Sequence, residues 1–228
     1  MKSEVLDTPE LVAQRAAEVI AAEAKAAIEA RGRFVMAISG GRTPWIMLRA
    51  LAATDMPWAA VQVMQIDERV APEGHADRNL THIKESLLDR TPLPPENIHP
   101  MPVAVADAEV AIAQYAATLK QVAGLPPVLD LAQLGLGPDG HTASLVPGDA
   151  VLNIADADVA MTEPYQGRRR MTLTYPMINR SRRILWVVTG TDKAPILPRL
   201  LKGDVSIPSG RIARERALLI ADAAAGHG

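Results

Sequence analysis

Short apolar runs alternate along this chain with longer Ala-rich amphipathic segments. Phe34-Val35-Met36-Ala37-Ile38 is apolar at every position, as expected of a strand covered on both faces. Val61 to Ile66 reads as a second buried strand, and Leu129 to Leu134 and Ile184 to Thr189 as two more. Shorter strands are expected at Ile98 to Met101, Arg170 to Thr174 and Ala217 to Ile220. Between them lie the predicted helices. Leu11 to Ala30 is rich in Ala and Glu and free of Gly, with Thr8-Pro9-Glu10 as a start signal and Gly32 as a stop. Further helices are expected over Trp45 to Ala52, Asn79 to Leu88, Asp107 to Val122 and Lys193 to Leu201. Strand and helix alternating throughout predict an α/β fold, a mostly parallel doubly wound sheet with helices on both faces. No repeat, low-complexity tract or linker divides the chain, so residues 1–228 are expected to form a single domain.

Composition narrows the chemistry. Apolar residues make up 48% and charged residues 22%, ordinary for a globular protein, while aromatics are only 3%, so the core must be aliphatic. A net charge of −2 offers no bulk attraction to nucleic acid or anionic lipid, and neither partner is expected. Any anionic ligand must then be held by a local cluster of donors. No apolar run approaches the roughly 18 residues of a membrane helix. Met1 to Asp7 has no apolar signal core and carries acids that a transit peptide would avoid. Zero cysteines exclude disulfides, thiolate metal sites and a Cys nucleophile, and fit a reducing compartment. A cytoplasmic location is the expectation.

In doubly wound sheets, ligands bind beyond the carboxyl ends of the strands, and four unusual segments follow predicted strands. The first is Ser39-Gly40-Gly41-Arg42-Thr43-Pro44. Paired glycines let the backbone approach a ligand, Thr43 is placed to cap the next helix, and exposed amides at a helix start attract anions. Alone it also reads as an ordinary strand-to-helix turn, and it lacks the lysine and spacing of a Walker A loop. The second is Asp67-Glu68-Arg69, followed after a Gly-containing loop by Asp77-Arg78-Asn79. Arg69 suits a phosphate clamp or carbonyl polariser with Asp67 and Glu68 orienting it, although a solvated loop of ion pairs has the same composition.

The third, Gly135-Leu136-Gly137-Pro138-Asp139-Gly140-His141-Thr142-Ala143-Ser144, is the most informative. Histidine is the side chain whose ordinary titration lies near neutrality, so His141 suits general-base work on water. Asp139, two residues earlier, is placed to hold one imidazole tautomer or to position the water. A Ser144 nucleophile is disfavoured, because the G-x-S-x-G elbow is missing; Ser144 reads instead as a helix-start residue. The fourth is Thr189-Gly190-Thr191-Asp192-Lys193-Ala194, where Lys193 could complete an anion site from the opposite wall. Of the basic run Arg168-Arg169-Arg170, Arg170 is expected to face the crevice and the others solvent. The histidines at 75, 82, 99, 141 and 227 show no H-x-x-x-H spacing, and no metal is expected.

Together these segments resemble the 6-phosphogluconolactonase family, within a superfamily that includes glucosamine-6-phosphate deaminases. The matching pieces are Ser-Gly-Gly-x-Thr-Pro at 39–44, Asp-Glu-Arg at 67–69, Gly-x-Gly-Pro-Asp-Gly-His-Thr-Ala-Ser-Leu-x-Pro-Gly at 135–148 and Thr-Gly-x-x-Lys-Ala at 189–194. They cover nearly the whole chain. The resemblance implies a sugar-phosphate lactone as substrate, hydrolysed without metal or organic cofactor. It implies His141, Asp139 and Arg69 as catalytic residues, with Ser39, Gly40, Gly41, Arg42, Thr43, Asp67, Glu68, Arg170 and Lys193 binding substrate. Val146 stands where the deaminases carry a proton-transferring acid, and Arg69 where they tend to have Tyr; both favour the lactonase. Arg42 and Arg78 occupy positions that the family often fills with small residues. A non-catalytic phosphosugar sensor remains the alternative of a different class, to be separated by turnover.

Overall fold

The structure, a computed structural model, describes residues 1–226, so His227 lies outside the described residues. The elements in chain order are β1 (Lys2–Leu6), α1 (Pro9–Arg31), β2 (Phe34–Ile38), α2 (Arg42–Ala52), β3 (Val61–Gln65), β4 (Asp67–Arg69), α3 (Asn79–Ser86), β5 (Ile98–His99) and α4 (Ala108–Ala123). After these come β6 (Leu131–Leu134), β7 (Val159–Met161), β8 (Arg170–Leu173), α5 (Tyr175–Asn179), β9 (Arg183–Val188), α6 (Leu197–Lys202), β10 (Ala217–Asp222) and α7 (Ala223–Gly226). The helix starts follow from local chemistry. Thr8 Oγ1 accepts the amide of Leu11 and Pro9 fills the first turn of α1, while Gly32 closes the helix at φ 75°. Asp107 caps α4 by accepting from Glu109 and Val110.

Seven strands form a parallel sheet in the order β1-β10-β9-β6-β2-β3-β5. Successive residues of each strand enter opposite faces. Phe34, Met36, Ile38, Leu185 and Val187 pack on one side with α1, α2 and α3. Val35, Ala37, Ile184, Trp186 and Val188 pack on the other with α4 and the remaining elements. Both faces are therefore covered, and the doubly wound α/β expectation holds.

Several elements depart from expectation. Lys2–Leu6, which carries no apolar run, pairs with β10 as an edge strand; its main-chain hydrogen bonds need no apolar pattern. Arg170–Leu173 does not join the parallel sheet: with β4 and β7 it makes a small antiparallel sheet in the order β4-β8-β7. One face is thus covered partly by strands instead of helices alone. The predicted helix over 193–201 is also shorter. A 3₁₀ turn, Thr191–Lys193, precedes α6 because Pro195 and Pro198 interrupt the amide ladder.

The strand order reverses between β2 and β6. The chain leaves β2 toward β3 and β5, then returns to β6, β9 and β10 on its other side. Such a switch point opens a crevice at the carboxyl ends of its two strands. Here those ends are tied together: the Ser39 amide donates to Gln133 Oε1 at 3.0 Å and the Ser39 hydroxyl to the Gln133 carbonyl at 2.9 Å.

Candidate active site

A cavity of about 530 Å³ sits over this switch point, within the range of small-molecule sites. Its walls include parts of all four predicted segments: Ser39 to Pro44, Asp67 with Arg69, Gly135 to Pro138 with His141, and Thr189 to Lys193. Segments separated by up to about 150 positions meet because each follows a strand of one sheet. The Thr43 and Thr189 hydroxyls join two of them directly, 2.6 Å apart.

On the β2 crest, Gly41 takes φ 121° and is the N-cap of α2, which begins one residue earlier than the expected cap at Thr43. Thr43 does not cap the helix; its hydroxyl is engaged with Thr189. Gly40 lies against Asn79, since a Cβ there would fall 1.9 Å from Asn79 Oδ1. The first turn of α2 carries Arg42, which is exposed and lines the cavity. Amides at a helix start and a guanidinium beside them favour an anion.

On β4, the three residues part company. Asp67 and Arg69 line the cavity, whereas Glu68 points away from it, as the two-residue period of a strand requires. Glu68 is fully buried and accepts from Gln65 Nε2 at 3.0 Å and from the amides of Arg69, Asn79 and Leu80 at 2.8, 2.7 and 2.8 Å. It also pairs with the buried Arg78 guanidinium at 3.1 Å. The expectation that Glu68 binds substrate is corrected: its acceptor sites are taken by the start of α3 and by Arg78. Asp67 accepts from Ser144 Oγ at 2.6 Å, so Ser144 is a buried hydroxyl under the site and starts no helix.

His141 is held from three sides. Its Nδ1 lies 2.6 Å from Asp139 Oδ1, which also accepts the His141 amide at 3.1 Å. Its ring covers Gly137, where a Cβ would stand 2.1 Å from Nδ1. Burial raises the Asp139 carboxyl, but the His141 charge and the hydrogen bonds from His141 and Tyr165 outweigh it, holding the group below the ordinary carboxylate range. An ionised Asp139 only accepts, so in the neutral imidazole the proton sits on Nδ1 and the lone pair on Nε2. Among the described residues no group engages Nε2.

Cations occupy two walls. Lys193 is mostly buried and pairs with the more exposed Asp192 at 2.8 Å. On the other wall, Arg69 and Arg170 are cross-strand partners in the small sheet, and the Nε of each is buried without an acceptor. Burial, then the like charge of Arg69, lowers the Arg170 guanidinium from its ordinary value. Arg69 also donates Nη1 to the Asp77 carbonyl at 2.8 Å, yet two cations side by side, each with an unused Nε donor, form an arrangement that an anionic ligand would stabilise. Arg168 instead pairs with Asp77 at 2.9 Å and Arg169 donates to the Thr162 carbonyl, so only Arg170 of the basic run faces the cavity. Among the described residues no three His, Asp or Glu side chains gather as a metal-ligand set.

Residues 7–220 match the model of the glucosamine-6-phosphate isomerase/6-phosphogluconolactonase family. The chain belongs to this family. It is 36% identical over 231 residues to 6-phosphogluconolactonase of a Nostoc species, covering 98% of this chain and 96% of that one. The solved structure of 6-phosphogluconolactonase from Thermotoga maritima superposes with a TM-score of 0.86 at 26% identity, over 97% of this chain and 98% of that one. A structure described as a monomeric glucosamine-6-phosphate deaminase superposes equally well, with a TM-score of 0.87 at 18% identity over 100% and 99% of the two chains. That likeness shows the shared fold alone. The chain is an enzyme of this family, with the family's run at 135–148 bent around the imidazole.

Three contributors to this family site escaped the sequence reading. Asn79, named in the second segment but given no role there, lines the cavity against Gly40. Asp222 accepts the Gly190 amide at 3.0 and 3.1 Å and so shapes the Lys193 loop; a lone Asp ending a strand gives no hint of this. Tyr165 donates its hydroxyl to Asp139 Oδ2 at 3.0 Å across 26 positions, with no local pattern to mark it.

Proposed function

We propose that this enzyme is a 6-phosphogluconolactonase, hydrolysing 6-phospho-D-glucono-1,5-lactone to 6-phospho-D-gluconate in the oxidative pentose phosphate pathway. The observation that carries the reading is His141, paired with Asp139 at 2.6 Å, lining one cavity with Arg42, Lys193, Arg69 and Arg170. An imidazole with a lone pair at Nε2 suits a water-activating base, and cations on two walls suit a substrate with a phosphate at one end and an ester at the other.

In this mechanism the Gly40, Gly41 and Thr43 segment, Arg42 and Lys193 bind the phosphate and fix the lactone ring relative to His141. His141 Nε2 takes a proton from water as the water oxygen bonds to C1. The carbonyl oxygen becomes an oxyanion beside Arg69, a contribution of about 3 kcal/mol for one well-placed donor. Collapse breaks the C1–ring-oxygen bond, and the imidazolium returns its proton to the departing oxygen. The base is restored and no covalent enzyme intermediate forms. No metal or organic cofactor enters these steps. The proposed catalytic unit is the single domain of residues 1–228, acting in the cytoplasm, in keeping with the absence of cysteine.

The test is an assay on freshly made lactone, corrected for spontaneous hydrolysis, with glucosamine 6-phosphate in parallel. Lactone turnover without ammonia release is expected, and His141→Ala should lower kcat roughly 10²-fold or more with a modest change in KM. Binding without turnover would make the protein a sensor, and ammonia release would make it a deaminase. Near-normal turnover by His141→Ala would remove the imidazole from its role.

A further inference from the structure

The loop joining β7 to β8 ends in a tight turn, Tyr165-Gln166-Gly167-Arg168, closed by the Tyr165 amide on the Arg168 carbonyl at 2.9 Å. Gln166 and Gly167 both have positive φ, 52° and 78°, the backbone of a type I′ hairpin turn. Gln166, a non-glycine residue, holds that conformation while its side-chain oxygen accepts from Arg170 Nη2 at 3.1 Å. The turn aims Tyr165 at the site in two ways. Its hydroxyl donates to Asp139 Oδ2 at 3.0 Å, the carboxylate oxygen that His141 leaves free. Its ring lies under the Arg170 guanidinium, 4.9 Å from the centroid, and meets the His141 ring edge-on at 5.7 Å.

We infer that Tyr165 is a positioning residue serving both ends of the site: its hydroxyl holds Asp139 and through it the His141 tautomer, and its ring holds the Arg170 guanidinium toward the substrate. The inference rests on the proposed general-base reading, which it deepens. Asp139 is about one-third exposed, and its Oδ1 takes both the ring and the amide of His141, so Tyr165 is the donor that engages Oδ2 and shares the carboxylate charge. Burial, then the adjacent Asp139, raise the Tyr165 phenol, so the hydroxyl keeps its proton through the neutral range and stays a donor. The face of the aromatic ring offsets part of the repulsion that Arg170 feels from Arg69.

The two functions separate by substitution. Tyr165→Phe removes only the hydroxyl. Asp139 then keeps more negative charge for His141, the charged groups facing the pair otherwise being Arg170 and, beyond it, Arg69. The imidazolium is favoured, so the acid limb of kcat/KM should move to higher pH and kcat should fall roughly three- to tenfold, with KM unchanged. Tyr165→Leu also removes the ring, and KM should rise roughly three- to tenfold in addition. The His141 ring titration, followed by NMR in the folded protein without substrate, should shift upward in Tyr165→Phe. That measurement stands even if the lactone is not the substrate, which only the parent enzyme's assay decides. An unchanged kcat, pH profile and ring titration in Tyr165→Phe overturns the hydroxyl's role, and an unchanged KM in Tyr165→Leu overturns the ring's.

Discussion

Ser144 and Asp67, 77 positions apart, meet beneath the cavity with the Ser144 hydroxyl donating to Asp67 Oδ2 at 2.6 Å. Both are buried, and the bond joins the loop that carries His141 to the small antiparallel sheet. This serine therefore supports a carboxylate; no contact to His141 would make it a nucleophile. Ser144→Ala leaves a buried carboxylate short of a donor, which should cost about 1–3 kcal/mol and lower Tm by roughly 5 °C. Lactone turnover should persist at a level far above that of His141→Ala. Loss of turnover as deep as the histidine variant's, with Tm unchanged, would contradict the assignment.

Glu68 is predicted to matter for stability and not for substrate. Glu68→Gln removes the charge facing buried Arg78, a change expected to cost about 3–5 kcal/mol by leaving one ion uncompensated. Urea unfolding should show the loss, while KM of the folded enzyme stays within about threefold of the parent. A large rise in KM with normal stability would return Glu68 to the site.

Gly137→Ala tests the seat of the imidazole. The added methyl would stand 2.1 Å from His141 Nδ1, closer than any real contact, so the ring or the loop must shift. Misplacing a base by about 1 Å can cost roughly 10² in rate. A fall in kcat of about that size is expected, with the far-UV spectrum of the parent. Parent-like kcat would show that the ring is not positioned by this contact.

Lys193→Ala should act on binding. The ammonium is assigned to a part of the substrate that does not react, so KM should rise roughly tenfold or more with kcat little changed. The effect should shrink as salt is raised, because screening weakens the parent's own attraction for the dianion. Unchanged KM would place the phosphate elsewhere, with Arg69 and Arg170 the alternative cations.

Much of the site was legible because its decisive geometry is local. Asp139 and His141 are two positions apart in a turn shaped by Gly137 and Gly140, so their contact needs little from the rest of the fold. The expectation for Glu68 failed on a local rule as well. Reading 67–69 as a strand would have sent Asp67 and Arg69 to one face and Glu68 to the other. The cap expected at Thr43 lies two residues earlier, since Gly41 at positive φ could cap the helix without a side chain.

The amino-acid sequence by itself determined the alternation of buried strands and amphipathic helices, the glycine turns at their ends and the residue types beside His141. These depend on periodicity, backbone freedom and neighbours a few positions away. Only the tertiary structure decided that β8 leaves the main sheet, that Arg170 stands beside Arg69, that Ser144 serves Asp67 and that Tyr165 reaches Asp139. Those contacts join segments distant in the chain, and side chains at that separation meet only where strand order and turn geometry carry them.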